Sequence, residues 1–328
     1  MLTKSPLISI ILPVYNRHHY LKQAIDSVIN QTYQNWELII ADDASAPDTK
    51  KILNDYTSLS KIKIIHNETN LGLFANLNQA IKHTSSSYIV LLCSDDFLLP
   101  HCLETSIRLI TSNSNVNLIL TAFNAIDGNG IEIPSGSKHW HDQMISNSLQ
   151  KLSSSESIPL LLKFGSINGN ITGMFFTRYL FESIGGFKEN WTHAADWEWV
   201  YRACKRSDVL LSKMPIATVR SHDEQLSGVN FKNISNSLEV IEMVKILLND
   251  SYIANIKKSK KWALQIMQYH LWFAFKFFFQ GRFQNALKIV KAIHEVTGFN
   301  QTLFALIKWL PNRWQIYIGK QNFPLSID

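Results

Sequence analysis

The sequence predicts an α/β fold, a mainly parallel sheet with crossover helices, followed by a helical C-terminal region. Short runs rich in Val, Ile and Leu alternate with segments of helical periodicity, which is typical of crossover units on a parallel sheet. Polar clusters follow several of these runs, as in ligand-binding loops at the carboxyl ends of strands. Helical periodicity then dominates, so we divide the chain into domains at 1–230 and 231–328.

The first hundred residues predict four strands, three helices and one site. The predicted strands are Ile8 to Leu12, Trp36 to Ala41, Ile62 to His66 and Tyr88 to Cys93. The predicted helices are Tyr20 to Asn30, Thr49 to Tyr56 and Leu73 to His83. The polar clusters that follow strands are Pro13 to Asn16, Asp42-Asp43 and Asp95-Asp96. Because the ends of parallel strands meet at one edge of a sheet, the three clusters predict a single site.

The remainder of the chain predicts further strands, one long loop and a set of helices. The later strands are Asn117 to Phe123, Ile171 to Thr177 and Leu210 to Val219. The Ser/Asn/Gly-rich stretch Asp127 to Ser157 predicts a long loop with a short helix, and such loops often bind ligands, here the acceptor side. The predicted C-terminal helices are Leu238 to Leu248, Lys260 to Phe279 and Arg282 to Val296, with Gly281 at a hairpin turn.

Composition indicates a globular protein of a reducing compartment. The chain has 328 residues, of which 46% are hydrophobic and 18% charged, enough apolar material for a large core. Its three cysteines form no spacing pattern, which argues against disulfides and against a cysteine zinc site. The first residues, Met1 to Ile11, lack the apolar region and cleavage site of a signal peptide, so we expect a cytoplasmic protein.

Positive charge is concentrated in the tail. From Lys257 to the end there are 11 Lys/Arg and 2 Asp/Glu, a net charge of +9, whereas the remainder carries 21 and 24, a net charge of −3. The aromatic segment Trp262 to Phe279 either lies on an anionic membrane surface or packs against protein. A spanning helix needs about 20 mostly apolar residues, and polar residues interrupt this one. No nucleic-acid-binding module is recognisable, so we expect no nucleic-acid partner.

Asp95 and Asp96 are the first candidate site residues. Two adjacent carboxylates at a strand end repel each other unless a cation lies between them, and a divalent ion carrying a diphosphate satisfies both. Oxygen ligands favour Mg²⁺ or Mn²⁺. The alternative is a solvated turn or a helix cap, where Asp is also common.

Asp42 and Asp43 are the second candidate pair, again directly after an apolar run. A carboxylate here can accept a hydrogen bond from the imide N–H of a nucleobase, and Tyr15 can contact the same base. Turn chemistry is again the alternative reading.

These residues, in this order and spacing, resemble the family 2 glycosyltransferases. The motifs in the first half are Pro13-Val14-Tyr15-Asn16, Gln31-Thr32-Tyr33, Asp42-Asp43-Ala44-Ser45, Asn70-Leu71-Gly72-Leu73, Asn76, and Ser94-Asp95-Asp96 with Pro100. The later motifs are Gly173-Met174-Phe175-Phe176, Ile184-Gly185-Gly186-Phe187, Asp196-Trp197-Glu198-Trp199 and Arg220-Ser221-His222. The resemblance extends over residues 5–230 and leaves out the tail.

The resemblance implies a GT-A fold and a metal-dependent, inverting transfer of a sugar from a nucleotide-diphosphate donor. It implies that Asp196 is the general base, that Asp95 and His222 bind the Mn²⁺ or Mg²⁺ ion, and that the donor is a UDP-sugar in preference to dTDP or GDP sugars. The nucleotide-sugar-binding residues that we expect are Pro13, Tyr15, Asp42, Asp43, Asn70, Asn76, Asp95 and Asp96.

The expected acceptor is a hydroxyl group of a glycan, with a lipid-linked glycan first, in bacterial cell-surface polysaccharide synthesis. The chemistry fits, because a carboxylate can take the hydroxyl proton while a divalent ion stabilises the leaving diphosphate. The basic tail would then hold the enzyme peripherally at the inner face of the cell membrane.

The chain departs from the family pattern at two positions. Cys93 stands where the family often has an acidic residue, and a thiol is a poor ligand for a hard cation, so we predict weak metal affinity. Ala195 stands where a Glu often precedes the base. These departures favour the main alternative, a non-catalytic subunit that binds sugar nucleotides. A nucleotidyltransferase is a lesser alternative, because the loop after the first strand lacks glycine.

Three tryptophans surround the predicted base, Trp191, Trp197 and Trp199. Each of them either stacks on the acceptor sugar or packs in the core.

Overall fold

The computed structural model describes residues 5–134, 138–222 and 234–317. Within these ranges, the side chains of 138–140 and 311–317 are left out of the description. The described residues form two compact units, one within residues 5–154 and 167–222 and the other within residues 155–166 and 234–317. The predicted domain boundary at 230/231 lies outside the described residues and stays a prediction.

The first unit contains an eight-stranded mixed sheet in the order β3-β2-β1-β4-β9-β6-β10-β8. Its strands are β1 (Ile8–Val14), β2 (Trp36–Asp42), β3 (Ile62–His66), β4 (Tyr88–Leu91), β6 (Val116–Thr121), β8 (Leu149–Leu152), β9 (Phe175–Thr177) and β10 (Asp208–Ser212). A smaller sheet has the order β5-β11-β7, with β5 (Phe97–Leu98), β7 (Asn124–Asp127) and β11 (Ala217–Ser221). The α/β fold class that the sequence predicts is confirmed.

The helices of the first unit connect and cover these strands. They are α1 (His18–Ile29), α2 (Pro47–Asn54), α3 (Leu73–Lys82), α4 (Cys102–Thr111), α5 (Lys138–Met144), α7 (Arg178–Ile184) and α8 (Ala195–Arg206). Every residue of β1 is buried, because a central parallel strand is covered on both faces, and its continuous apolar run reflects that position.

The parallel register brings the predicted polar clusters to one edge. Val14, Asp42 and His66 lie at aligned positions of β1, β2 and β3, so the chain leaves all three strands at the same edge. β4 pairs with β1 on its other side and ends where Leu91 lies opposite Ile11, and the turn that carries Asp95 and Asp96 follows it. This edge is the place where ligands bind in open α/β sheets.

Two predicted elements of this unit are wrong. The predicted strand from Leu210 to Val219 is two strands, because Pro215 lies between β10 and β11, lacks a backbone N–H, and separates strands that belong to different sheets. The predicted long loop from Asp127 contains not only the expected helix α5 but also β8, which pairs antiparallel to β10 at the sheet edge.

The second unit is helical. Its helices are α6 (Ser154–Phe164), α9 (Ile234–Leu248), α10 (Ser251–Ala254), α11 (Ser259–Phe279), α12 (Phe283–Thr297) and α13 (Phe299–Tyr317). The predicted C-terminal helices are confirmed, and α11 packs against α12 and α13 through buried side chains such as Met267 and Leu271. Gly281, with a φ of 74°, forms the predicted hairpin turn. Within the ranges that the structure describes, none of the helices combines the length and the apolarity needed to cross a membrane.

Candidate active site

Asp95 and Asp96 follow β4 but have different environments. Asp96 is buried, and its carboxyl group makes hydrogen bonds of 2.6 Å with the Thr172 hydroxyl and 2.8 Å with the Arg220 backbone N–H. Burial, together with the neighbouring Asp95 charge, raises the pKa of Asp96 to about 8. Asp96 therefore joins three chain segments, and Asp95 is the more accessible carboxylate of the pair.

His222 contacts the carboxylate of Asp95. Its Nε2 atom lies 3.0 Å from Asp95 Oδ2, although the two residues are 127 positions apart in the sequence. The imidazole ring lies 5.1 Å from the Tyr20 ring, which fills one side of this contact. The structure thus brings together the two residues that the sequence assigns to the metal.

Arg220 connects this pair to the surrounding loops. Its guanidinium donates hydrogen bonds to the carbonyl oxygens of Asp95 at 3.1 Å and Asp127 at 3.3 Å, and to Gln23 Oε1 at 2.5 Å. The guanidinium carbon also lies 4.4 Å from the centre of the Tyr20 ring, a cation–π geometry. A planar fork with several donors is suited to this role, and the side chain is buried.

Cys93 lies beside the two aspartates. A sulfur or carboxylate oxygen from each of Cys93, Asp95 and Asp96 lies within 4.8 Å of the others. Burial, and next the Asp96 and Asp95 charges, raise the pKa of the Cys93 thiol well above its usual value. The Cys93 backbone N–H donates to the Thr172 hydroxyl at 3.0 Å.

The residues fit a divalent cation. The Asp95 carboxylate and the neighbouring imidazole are ligands of the type that Mn²⁺ and Mg²⁺ accept, and the Asp96 carboxyl group lies close by. The neutral thiol of Cys93 contributes little to binding a hard ion.

Asp196 lies in the first turn of helix α8. Its Oδ2 accepts a hydrogen bond of 2.9 Å from the Asn168 amide. Burial raises the pKa of Asp196, while the Asn168 hydrogen bond opposes that rise. The Asp196 charge also contributes to raising the pKa of the Cys93 thiol, so Asp196 belongs to the same electrostatic neighbourhood as Asp95 and Asp96. A carboxylate with a raised pKa is suited to act as a general base near neutral pH.

Asp43 organises the loop that follows β3. Its carboxylate accepts hydrogen bonds from the Asn67 amide at 2.9 Å and from the backbone N–H groups of Leu71 at 2.8 Å and Gly72 at 2.9 Å. Gly72 has a φ of 84°, which a residue with a side chain rarely adopts. Asn70 contributes by accepting a hydrogen bond of 3.0 Å from the same Gly72 N–H.

Asp42 and Asn76 make buried hydrogen bonds at the carboxyl end of β2. Asp42 is fully buried, accepts from the Ser45 N–H at 3.1 Å, and pairs with His66 Nδ1 at 2.8 Å. Asn76 donates to the Ala41 carbonyl at 2.8 Å. Both side chains are buried, and each holds the carboxyl end of β2 in place.

Pro13 and Tyr15 lie at the end of β1. Pro13 is buried and pairs with Ala41 of β2, whereas the Tyr15 side chain is 47% exposed. Next to it, Asn16 has a φ of 53°, and its side chain accepts a hydrogen bond of 2.8 Å from the Ala46 N–H. The Asp43 backbone N–H donates to the Val14 carbonyl at 2.8 Å, so the chain segment that carries the exposed Tyr15 side chain is bonded to the segment that follows β2.

The tryptophans near Asp196 differ in burial. Trp199 is buried against Phe176, with ring centres 4.9 Å apart, and donates to the Gly185 carbonyl at 3.0 Å. Trp197 is also buried, and Trp191 lies partly exposed with the Lys188 ammonium 4.2 Å from its ring centre. Core packing therefore describes Trp199 and Trp197, and a contact with a sugar ring is open only to Trp191.

Sequence reasoning did not assign a role to Thr172, Asn168 or Tyr20. Thr172 and Asn168 belong to the short segment before β9, and each binds one of the candidate carboxyl groups. No periodicity or charge pattern marks either residue, because polar loop residues look alike until the fold brings them beside an acid.

Comparison with known proteins identifies relatives of the first unit. The family model described as "Glycosyl transferase family 2" matches residues 9–180. The putative glycosyltransferase EpsE of Bacillus subtilis is 33% identical over 132 residues, which cover 40% of this chain and 48% of EpsE. An Escherichia coli relative, UDP-Glc:alpha-D-GlcNAc-diphosphoundecaprenol beta-1,3-glucosyltransferase WfgD, is 36% identical over 125 residues, 38% of this chain and 49% of WfgD.

A longer match is with an uncharacterized glycosyltransferase of Rickettsia typhi, 30% identical over 228 residues, 69% of this chain and 67% of that protein. The chain spans about half the length of EpsE and WfgD.

Solved structures share the fold at low identity. Staphylococcus aureus TarS 1-349, in complex with UDP-GlcNAc, has a TM-score of 0.67 at 17% identity and covers 96% of this chain and 93% of its own. The mannosyltransferase PcManGT of Pyrobaculum calidifontis, in complex with GDP-Man and Mn²⁺, has a TM-score of 0.57 at 15% identity. The match covers 95% of this chain and 88% of the PcManGT chain. The predicted GT-A fold is confirmed by these likenesses.

Proposed function

Because the chain belongs to glycosyl transferase family 2, we propose that it moves a sugar from a nucleotide-diphosphate donor to an acceptor hydroxyl with inversion at the anomeric carbon. The observation that carries the proposal is the contrast between two carboxylates. Asp95 is accessible and contacts an imidazole, whereas burial raises the pKa of Asp196. One carboxylate is thus suited to a cation site and the other to taking a proton.

Asp196 is the general base in this proposal. The Asn168 amide holds one carboxylate oxygen, which leaves the other oxygen to accept the proton of the acceptor hydroxyl as that hydroxyl attacks. A single displacement needs one catalytic carboxylate, because no covalent sugar–enzyme intermediate forms.

Asp95 and His222 hold the diphosphate end of the donor. Arg220 and Tyr20 fix the imidazole and the Asp95 backbone, so that this group is organised before the donor binds. A divalent ion bound there would act as a Lewis acid on the leaving diphosphate. We propose Mn²⁺ or Mg²⁺, and the Mn²⁺ complex of PcManGT supports this choice.

The nucleoside lies, in this proposal, between Tyr15 and the Asp43 loop. The Tyr15 side chain is exposed directly after β1, and Asp43 directly follows β2 and orders the loop after β3 through its carboxylate. We propose a UDP-sugar as donor, of the hexosyl or N-acetylhexosaminyl type. The UDP-GlcNAc complex of TarS and the name of WfgD support it, whereas the GDP-Man complex of PcManGT shows that another base fits the same fold.

We propose a lipid-linked glycan as acceptor, used at the cytoplasmic face of the cell membrane in cell-surface polysaccharide synthesis. WfgD, a relative that this chain matches over 49% of that protein's length, is named for a diphosphoundecaprenol-linked acceptor. The alternative, a non-catalytic subunit that binds sugar nucleotides, is favoured by Cys93 and Ala195, which replace acidic residues of the family pattern.

Calorimetric titration tests the donor site first. The purified protein is titrated with UDP, dTDP and GDP, each with Mn²⁺ and with a chelator. We expect Mn²⁺-dependent binding of UDP, and absence of binding to all three nucleotides by folded protein contradicts the proposal. Release of free sugar from the bound donor then separates an enzyme from a non-catalytic subunit, because the subunit releases none.

A further inference from the structure

The turn between α11 and α12 exposes a group of large apolar side chains. This group, called the hairpin tip, consists of Phe278, Phe279, Phe283 and Leu287. Phe279 is 85% exposed, the highest fraction among the large apolar side chains of the described residues, and Leu287 is 69% exposed. Single exposed apolar residues are normal on a protein surface, but four at one turn are a patch.

The four side chains are neighbours. The ring centre of Phe278 lies 5.0 Å from that of Phe283 and 5.8 Å from that of Phe279. Leu287 follows Phe283 by one helical turn on α12 and therefore lies on the same face. The next inward residue, Phe277, is buried, so the apolar character of α11 turns outward only at its end.

Positive charge surrounds this patch. Lys276, Arg282, Lys288 and Lys291 flank the hairpin tip in sequence, and all four are exposed. From Ser251 to His294 the chain contains eight Lys/Arg and no acidic residue. The exposed apolar patch therefore belongs to a stretch of sequence that carries only positive charge.

We infer that the hairpin tip docks on an anionic lipid bilayer, with its phenyl rings at the acyl boundary and the lysines and arginine at the headgroups. An apolar face bordered by basic residues is typical of interfacial membrane binding. Charge complementarity favours an anionic bilayer over a second copy of the chain, because two copies would bring two basic surfaces together. The inference deepens the proposed function, since a lipid-linked acceptor lies in such a surface.

Vesicle co-sedimentation of the full-length protein tests the inference. We expect binding to phosphatidylcholine vesicles that contain phosphatidylglycerol, and little binding to phosphatidylcholine alone. The double variant Phe279→Ser/Phe283→Ser removes two exposed rings and should weaken vesicle partitioning at least about tenfold. Lys288→Gln/Lys291→Gln should weaken binding to the anionic vesicles and reduce its sensitivity to salt.

Ile131→Ser is the matched control, because Ile131 is 65% exposed in the other unit and is not part of the hairpin tip. It should bind vesicles as the wild type does. Undiminished vesicle binding by the phenylalanine double variant overturns the inference. Analytical ultracentrifugation without lipid adds a second check, since self-association that the double variant abolishes would assign the patch to a protein interface instead.

Nucleotide binding is measured on the same samples, so that failure of the membrane inference can be distinguished from failure of the proposed function. Protein that binds UDP with Mn²⁺ but no vesicles overturns the membrane inference and leaves the proposed function intact. Protein that binds vesicles but no nucleotide contradicts the proposed function and leaves the docking surface in place.

Discussion

His222 Nε2 lies 3.0 Å from Asp95 Oδ2, so a residue at the end of the first unit contacts the turn after β4. Arg220 bonds to both aspartates, because its side chain donates to the Asp95 carbonyl and its backbone N–H donates to the Asp96 carboxyl group. The imidazole and the carboxylate are therefore placed by the fold, which reduces the cost of organising a cation and a diphosphate when the donor binds.

His222→Ala should remove most of the Mn²⁺-dependent part of UDP affinity, because it deletes one of the two proposed ligands. We expect a loss of at least about tenfold with Mn²⁺ and no change with chelator, as even residues behind the ligands typically contribute ten- to hundredfold. Calorimetry with and without Mn²⁺ measures the difference. His83→Ala, at an exposed histidine directly after α3, is the control. Equal loss with and without Mn²⁺ would argue against a metal role.

Asn168→Ala should move the pH dependence of catalysis. Burial raises the pKa of Asp196, and the Asn168 hydrogen bond lowers it. Only the deprotonated carboxylate accepts a proton, so kcat/KM rises with pH until the pKa of Asp196 is passed. Without Asn168 that pKa rises further, and the acidic limb of the profile shifts to higher pH. An acidic limb at the same pH in wild type and variant would show that Asp196 is not the titrating base.

Asp196→Asn is the companion variant for the same base. It should abolish transfer while UDP binding persists, because the amide cannot take the acceptor proton. Transfer assays and calorimetry on one preparation separate the two effects, and surviving transfer contradicts the mechanism.

Asp96→Asn should flatten the dependence of stability on pH. The pKa of folded Asp96 is about 8, against 3.8 for the unperturbed group, so between these values the folded state binds the extra proton. The free energy of unfolding therefore falls as pH rises through this window, by up to about 1.4 kcal/mol per unit. The Thr172 hydroxyl and the Arg220 N–H both donate to the Asp96 carboxyl group. In the asparagine variant the amide oxygen still accepts from the Arg220 N–H, the amide NH₂ donates to the Thr172 oxygen, and the side chain cannot titrate.

Urea unfolding in chelator at several pH values measures this effect as the difference between wild type and variant. Because Asp196 is unchanged in both proteins, its own contribution cancels in the difference. Parallel curves for the two proteins would mean that Asp96 is charged at neutral pH.

Much of the fold could be predicted from the sequence because its signals are local. The β1 run from Ile8 is buried along its length, and such strands are continuous apolar segments. The division of Leu210 to Val219 into two strands could not be predicted, because apolar residues continue on both sides of Pro215 and pairing partners are distant.

The candidate site, like the fold, could be predicted only in part from local signals. Asp95 and Asp43 stand at strand ends that periodicity identifies, whereas the contact between His222 and Asp95 spans 127 positions and was expected only from the family resemblance. Thr172 and Asn168 carry no signal of their own, because their roles exist only once the segment before β9 reaches the carboxyl groups of Asp96 and Asp196.

Cys93→Asp should strengthen metal binding and weaken the metal-free protein. The sulfur of Cys93 lies within 4.8 Å of carboxylate oxygens of Asp95 and Asp96, so a third carboxylate there adds an oxygen ligand and like-charge repulsion. We expect Mn²⁺ affinity to rise by roughly tenfold, which corresponds to about 1.4 kcal/mol. Thermal unfolding should show a lower Tm in chelator and a larger rise with Mn²⁺ than in wild type, because a bound ion stabilises only the folded state. Cys93→Ser removes the thiol without adding charge and should leave Mn²⁺ affinity near the wild-type value. If both variants gain affinity equally, the size of the side chain and not its charge limits the site, and the loss of the family's acidic residue does not explain weak binding.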